Sequence, residues 1–146
     1  MLIGIDPLLG GDLLKLLDEM GHGDQIAVVD GNYPAFSSGR PVVQLGDVTV
    51  TRAIGAILRV IPLDTFVRSP LERMAADTEA PTAGQQEVLE LARRVHPADL
   101  EFSVVSRLDF YDRTRAVQAV VRTLDARPYN CFILHKGVVE AEPWPG

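Results

Sequence analysis

The sequence predicts an α/β fold: a single three-layer α/β/α domain with a parallel or mixed central sheet. Three observations predict it. Segments with apolar residues at helical spacing alternate along the chain with short continuous apolar runs. Runs such as Ile26-Ala27-Val28-Val29 are of the kind buried on both faces of a sheet, so helices must cover both sides. The 146 residues, 47% of them hydrophobic, suit one domain with its own core, and no repeat or long linker divides the span 1–146.

The elements follow in order. Leu8, Leu9, Leu13, Leu14, Leu16, Leu17 and Met20 form a helical stripe, with Pro7 suited to its start and Gly21 to its stop. The Ile26–Val29 strand ends at Asp30, and a Gly- and Ser-rich loop covers 31–39. Val42, Val43 and Leu45 suggest a short strand, and Thr51 to Val60 a helix stopped by Pro62. Thr65-Phe66-Val67 and Glu72 to Ala76 are strand candidates, followed by a polar loop over 77–83. Gly84 to Val95 reads as an amphipathic helix and Phe102 to Val105 as a strand. A helix from about Asp109 to Leu124 would bury Ala116, Val117, Val120, Val121 and Leu124, and Phe132-Ile133-Leu134 is the last strand.

Composition narrows the function. A net charge of −6 argues against a nucleic-acid partner, which needs clustered Lys and Arg. The single cysteine, Cys131, excludes an intrachain disulfide and fits a reducing compartment. The first residues lack the features of a signal peptide, and no apolar run approaches the ~20 residues that span a bilayer, so the expectation is a cytoplasmic protein with no membrane partner.

The sharpest local feature is Gly21-His22-Gly23-Asp24, between a helix and a buried strand. Its glycines permit a tight turn that leaves the imidazole open, and histidine exchanges protons near neutral pH. Taken alone, the tetrapeptide more often describes a surface turn than a site. Asp30 ends the strand, where ligands of open α/β sheets gather, although it can also simply form an Asx turn. His22 and Asp30 flank one strand and so fall near its opposite ends, unless two subunits share a site. Arg107 sits at a strand end, able to reach a ligand hydroxyl or to pair with Asp109 or Asp112. Asp109 can cap the helix that follows, and Tyr111 offers a flat face and a hydroxyl. His22, His96 and His135 lack metal-ligand spacing, Gly10-Gly11 is no dinucleotide fingerprint, and Cys131 opens an apolar strand like a buried thiol, so no metal or other cofactor is expected.

These pieces stand in a familiar order. Ile5-Asp6-Pro7-Leu8-Leu9, Met20 to Ile26, Asp30 with Asn32-Tyr33-Pro34-Ala35, and Pro62 to Val67 with Ser69-Pro70 come first. Arg107 to Arg113, Tyr129, and His135-Lys136-Gly137-Val138 complete the set. Together they resemble the D-ribose pyranase and L-fucose mutarotase family nearly end to end, with the Asp30 loop and the Asp64 segment closer to the fucose branch. The resemblance implies an isomerase that interconverts cyclic forms of a free monosaccharide, L-fucose or a similar sugar, with His22 as its acid. It implies sugar contacts from Asp30, Asp64, Arg107, Tyr111 and Tyr129, and a ring-shaped homo-oligomer such as a decamer with sites between subunits. Asn130 and Cys131 are expected among the sugar contacts too, but they depart from the family's Gly-Asn: a thiol is a poor substitute for a carboxamide, and Asn130 compensates only if the backbone shifts by one residue. A non-catalytic sugar-binding or sugar-transport-associated protein on the same fold, or a ring protein with a decayed site, is the alternative.

Overall fold

The computed structural model describes residues 1–97 and 99–141; residue 98 and the last stretch of the expected domain, 142–146, lie outside the described residues. Its elements are α1 (Gly11–Glu19), β1 (Gln25–Val29), a 3-10 turn (Ala35–Ser38), β2 (Val42–Gly46), α2 (Val50–Ile57), β3 (Leu71–Met74), α3 (Ala83–Val95), β4 (Ser103–Val105), α4 (Arg107–Thr114), β5 (Ala119–Thr123) and β6 (Phe132–His135). The six strands form one sheet in the order β2-β5-β1-β6-β3-β4. β6 runs antiparallel to both neighbours, whereas β2, β5 and β1 are mutually parallel, as are β3 and β4. The sheet is therefore mixed, within the expected class.

Alternation along the strands divides the core in two. Ile26, Val28, Ala119, Val121, Phe132 and Leu134 face α1, α2 and α3, where Leu13, Leu17, Ile54, Ile57 and Val88 are buried. Ala27, Val29, Val120 and Ile133 face Phe110 of α4 and Ala35 of the 3-10 turn. Burial at about 25 cal/mol per Å² of apolar surface on each face is the main force holding the three layers together.

Caps account for several boundaries. Thr49 accepts the N–H of Arg52 at the start of α2, and Thr82 with Gln85 closes a capping box on α3. The first helix begins at Gly11, not Pro7, because Asp6 folds the chain after it into a turn: its carboxylate accepts the N–H of Leu8 and its carbonyl that of Leu9. The last predicted helix divides: its first part, 109–114, is helical in α4, and its second part is a strand. Ser106, not Asp109, caps α4, which ends at Thr114, and Ala119–Thr123 form β5 between β1 and β2. Val117, Val120 and Val121 fit a helical stripe and a doubly buried strand equally well, and pairing to two parallel neighbours decides for the strand. Thr65-Phe66-Val67 is an exposed bend rather than a strand, while β3 lies where the second candidate was expected. No helix among the described residues is long and apolar enough to cross a membrane.

Candidate functional site

The polar candidates gather at two ends of the sheet. At the amino end of β1, Gly21 donates its N–H to the Asp24 carboxylate at 2.8 Å and Gly23 takes a left-handed φ of 84°, closing the tight turn. The turn is tied to the end of β6: Gly23 N–H donates to the Lys136 carbonyl, and Lys136 N–H to that of Asp24, each at 2.8 Å. Asp64 arrives from the other side of β6. Leu63 bridges to Lys136, and Asp64 N–H donates to the His135 carbonyl at 2.9 Å. A Cβ on Gly137 would lie 2.6 Å from the Leu63 carbonyl oxygen, so glycine there lets the segment approach.

The result joins two residues 42 apart in sequence: His22 Nε2 lies 3.1 Å from Asp64 Oδ1. The His22 side chain is 45% exposed and that of Asp64 only 4%, so the pair presents an accessible imidazole on a buried carboxylate. Burial alone would raise the Asp64 pKa, but the Phe66 N–H at 2.9 Å and the His22 ring outweigh it and hold the carboxyl below its usual value. A neutral His22 donates from Nε2 to this carboxylate and keeps its Nδ1 lone pair for other work. Phe66 packs against the ring at 5.1 Å between centroids. On β3, Glu72 accepts from both His135 and Arg113.

At the carboxyl end of β1, Asp30 is buried. Its Oδ1 accepts the N–H groups of Asn32 and Tyr33, the Asx turn weighed above, and its Oδ2 receives the Cys131 thiol at 3.4 Å. Burial raises the Asp30 carboxyl, only partly offset by these bonds, and pushes the Cys131 thiol well up, so Cys131 is no nucleophile. Tyr129 follows with a left-handed φ of 62°; its hydroxyl donates to Asp77 at 2.7 Å, and Arg107 lies near enough to act on its charge. Tyr111 is half-buried, edge-on to Tyr33 at 5.4 Å. Asn130 is fully enclosed. Its Nδ2 donates to Asp125 Oδ2 at 3.1 Å, and Arg127 braces the same carboxylate.

The structure thus brings His22 to Asp64 and Asp30 to Cys131, with Tyr129 and Asn130 adjoining, but it separates the two groups. The five residues of β1 alone rise roughly 17 Å. Asp64, expected on a sugar hydroxyl, here holds the His22 ring; Asn130 and Cys131 turn their side chains inward. Reading the sequence alone passed over Phe66, Asp77 and the Glu72–His135–Arg113 group. Phe66 is two residues from Asp64 and within reach of local inspection, whereas Asp77 sits in an unmarked polar loop and Glu72 meets its partners only through the sheet and α4.

Among known proteins, a sequence model of the RbsD / FucU transport protein family matches residues 3–139. The chain is 34% identical over 141 residues to the L-fucose mutarotase of Actinobacillus pleuropneumoniae serotype 5b (strain L20), covering 94% of this chain and 97% of that one. It is 33% identical over 148 residues to the fucose mutarotase of Homo sapiens, covering 96% of each. A crystal structure of the fucose mutarotase from Streptococcus pneumoniae in complex with L-fucose superposes with a TM-score of 0.86 at 33% identity, covering 95% of this chain and 100% of that one.

Proposed function

This chain belongs to the RbsD / FucU family, and from that premise we propose that it is a mutarotase, an isomerase interconverting the anomers of a free monosaccharide, L-fucose or a close relative. The observation that carries the residue-level reading is the His22–Asp64 pair, an open imidazole seated on a buried carboxylate.

Mutarotation moves two protons and no electrons. A base takes the proton of the anomeric hydroxyl, the C–O bond to the ring oxygen breaks, and an acid protonates that oxygen. The free aldehyde turns over, and closure reverses the transfers. In this reading protonated His22 gives its proton to the ring oxygen on opening and takes it back on closing. Asp64 holds the ring and stabilises the imidazolium. Groups placed in this way typically supply ~10²–10⁴-fold acceleration.

Asp30, Arg107, Tyr111 and Tyr129 hold the sugar hydroxyls, while Cys131 supports the Asp30 carboxylate and Asn130 ties the same segment to Asp125. Because His22 and Asp30 flank β1 at opposite ends, one site using both takes them from two copies. Such a contact is met by a two-fold pair of copies or by a head-to-tail ring, and the ring is the assembly this reading takes. Exposed Phe66, Val138 and Val139 beside the His22 end give it an apolar surface to bury.

Saturation-transfer NMR of L-fucose, comparing wild type with His22→Ala at equal concentration, tests the reading. Enzyme-catalysed exchange is expected to fall ~10²-fold or more in the variant. Undiminished exchange would reject the role of His22. Binding of the sugar by wild type without accelerated exchange would leave a sugar-binding protein instead.

A further inference from the structure

Tyr129 alone among the described non-glycine residues has a left-handed backbone, at φ 62°, a strained conformation that its surroundings must hold. Two contacts hold it: its carbonyl accepts from Gln85 Nε2 at 2.8 Å, and its hydroxyl donates to Asp77 Oδ1 at 2.7 Å. Both lead to one buried support. The Gln85 carboxamide is used on every side, Nε2 donating to the carbonyls of Tyr129 and Met74 while Oε1 accepts from Arg73 Nη1 and the Thr82 N–H. Arg73, also buried, donates from Nη2 to the Glu79 carbonyl at 2.6 Å. The loop that carries Asp77 is therefore pinned at Glu79 and Thr82 by the same side chains that fix Tyr129. β1 and β3 both run antiparallel to β6, so Asp77, Tyr129 and Asp30 come together at one end of the sheet.

The direction of the Tyr129–Asp77 bond has a chemical consequence. A carboxylate oxygen only accepts, so the phenol proton is committed to Asp77. The same bond raises the phenol above its ordinary value, so that proton stays on Tyr129. What the Tyr129 oxygen then offers a ligand is lone pairs. A phenol without such a partner adapts, donating or accepting as the ligand requires. We propose that Asp77 is a positioning residue that sets the specificity of the sugar site: it turns the Tyr129 proton away from the ligand, so the site selects a sugar with a proton-donating hydroxyl facing Tyr129. The class chosen is a free sugar hydroxylated at that carbon, against its deoxy, O-alkyl or fluoro counterpart. The inference rests on the mutarotase reading, which makes Tyr129 a sugar contact.

Calorimetric binding to the full chain in its native assembly tests this, with L-fucose and three analogues in which fluorine replaces the hydroxyl at carbon 2, 3 or 4. Fluorine accepts weakly and cannot donate. For the analogue altered where the sugar faces Tyr129, wild type is expected to prefer L-fucose by about tenfold or more. In Asp77→Ala that preference is expected to fall to about threefold, with the preferences at the other two carbons unmoved, and L-fucose itself to bind about threefold more weakly. Asp77 is exposed, so its replacement leaves the buried Arg73–Gln85 support in place. The two contacts act as one, so Asp77→Ala is expected to cost less in Tyr129→Phe protein than in wild type. Preferences unmoved at all three carbons overturn the proposal, and so do losses that simply add. An equal change at all three carbons overturns it too, since that marks a loop that merely supports the fold. None of these outcomes touches the mutarotase reading. Wild type that binds none of the four sugars strikes that reading itself, and this inference falls with it.

Discussion

Asp64 shows how one side chain can be legible as important and illegible in its task. A carboxylate beside Pro62 and Leu63 looks like any turn residue until β6 brings it to within 3.1 Å of His22. No local spacing encodes a contact across 42 residues, whereas the glycine-flanked turn around His22 and the Asx turn of Asp30 are local and were readable. If Asp64 orients the ring, Asp64→Asn keeps the geometry but loses the charge that stabilises the imidazolium. Exchange is expected to fall at least about tenfold with sugar binding nearly intact, and measuring both in one titration separates this from loss of a sugar contact. Because the Asp64 carboxyl lies below its usual value, it keeps its charge as pH falls through the range where an ordinary aspartate protonates. The acid limb of the exchange profile then reports groups other than Asp64.

The elements were legible where a pattern has one meaning. α3 carries its capping box in plain sequence, and the doubly buried β1 stands between clear turns. The stretch from Ala116 to Leu124 was not legible, because a strand buried on both faces has no alternation to distinguish it from a helix stripe. Its place between β1 and β2 is decided by hydrogen-bond partners far away in sequence. Packing between elements has a similar hidden constraint in α3. A Cβ added at Gly84 would lie 2.5 Å from Asn130 Oδ1, and Asn130 is tied to Asp125. Gly84→Ala is therefore expected to cost about 1–3 kcal/mol, read as a lowered urea midpoint, despite alanine's better helix propensity.

At the scale of the whole molecule, Asp125 joins the loop after β5 to the start of α2, accepting from Val50 N–H, Arg127 and Asn130. Burial alone would raise its carboxyl, but these donors hold it below the carboxylate range. Its contribution is full above the unfolded value near 3.9 and is lost as pH falls through the lower folded value. Asp125→Asn is expected to lose about 3 kcal/mol at pH 7 and to show a flatter decline on acidification, measured by denaturant unfolding at several pH values. The proposed two-copy site has its own test. His22→Ala and Asp30→Asn proteins, each deficient alone, should regain exchange when unfolded and refolded together, because some contacts then pair a good half from each; no recovery would reject a site that takes one residue from each copy. With His22 at one end of β1 and Asp30 at the other, a lone subunit under the proposed two-copy site owns two halves and no whole. Specific activity should then collapse on dilution below the dissociation constant of the assembly, and a subunit altered at one end should disable a neighbour that carries no change at all.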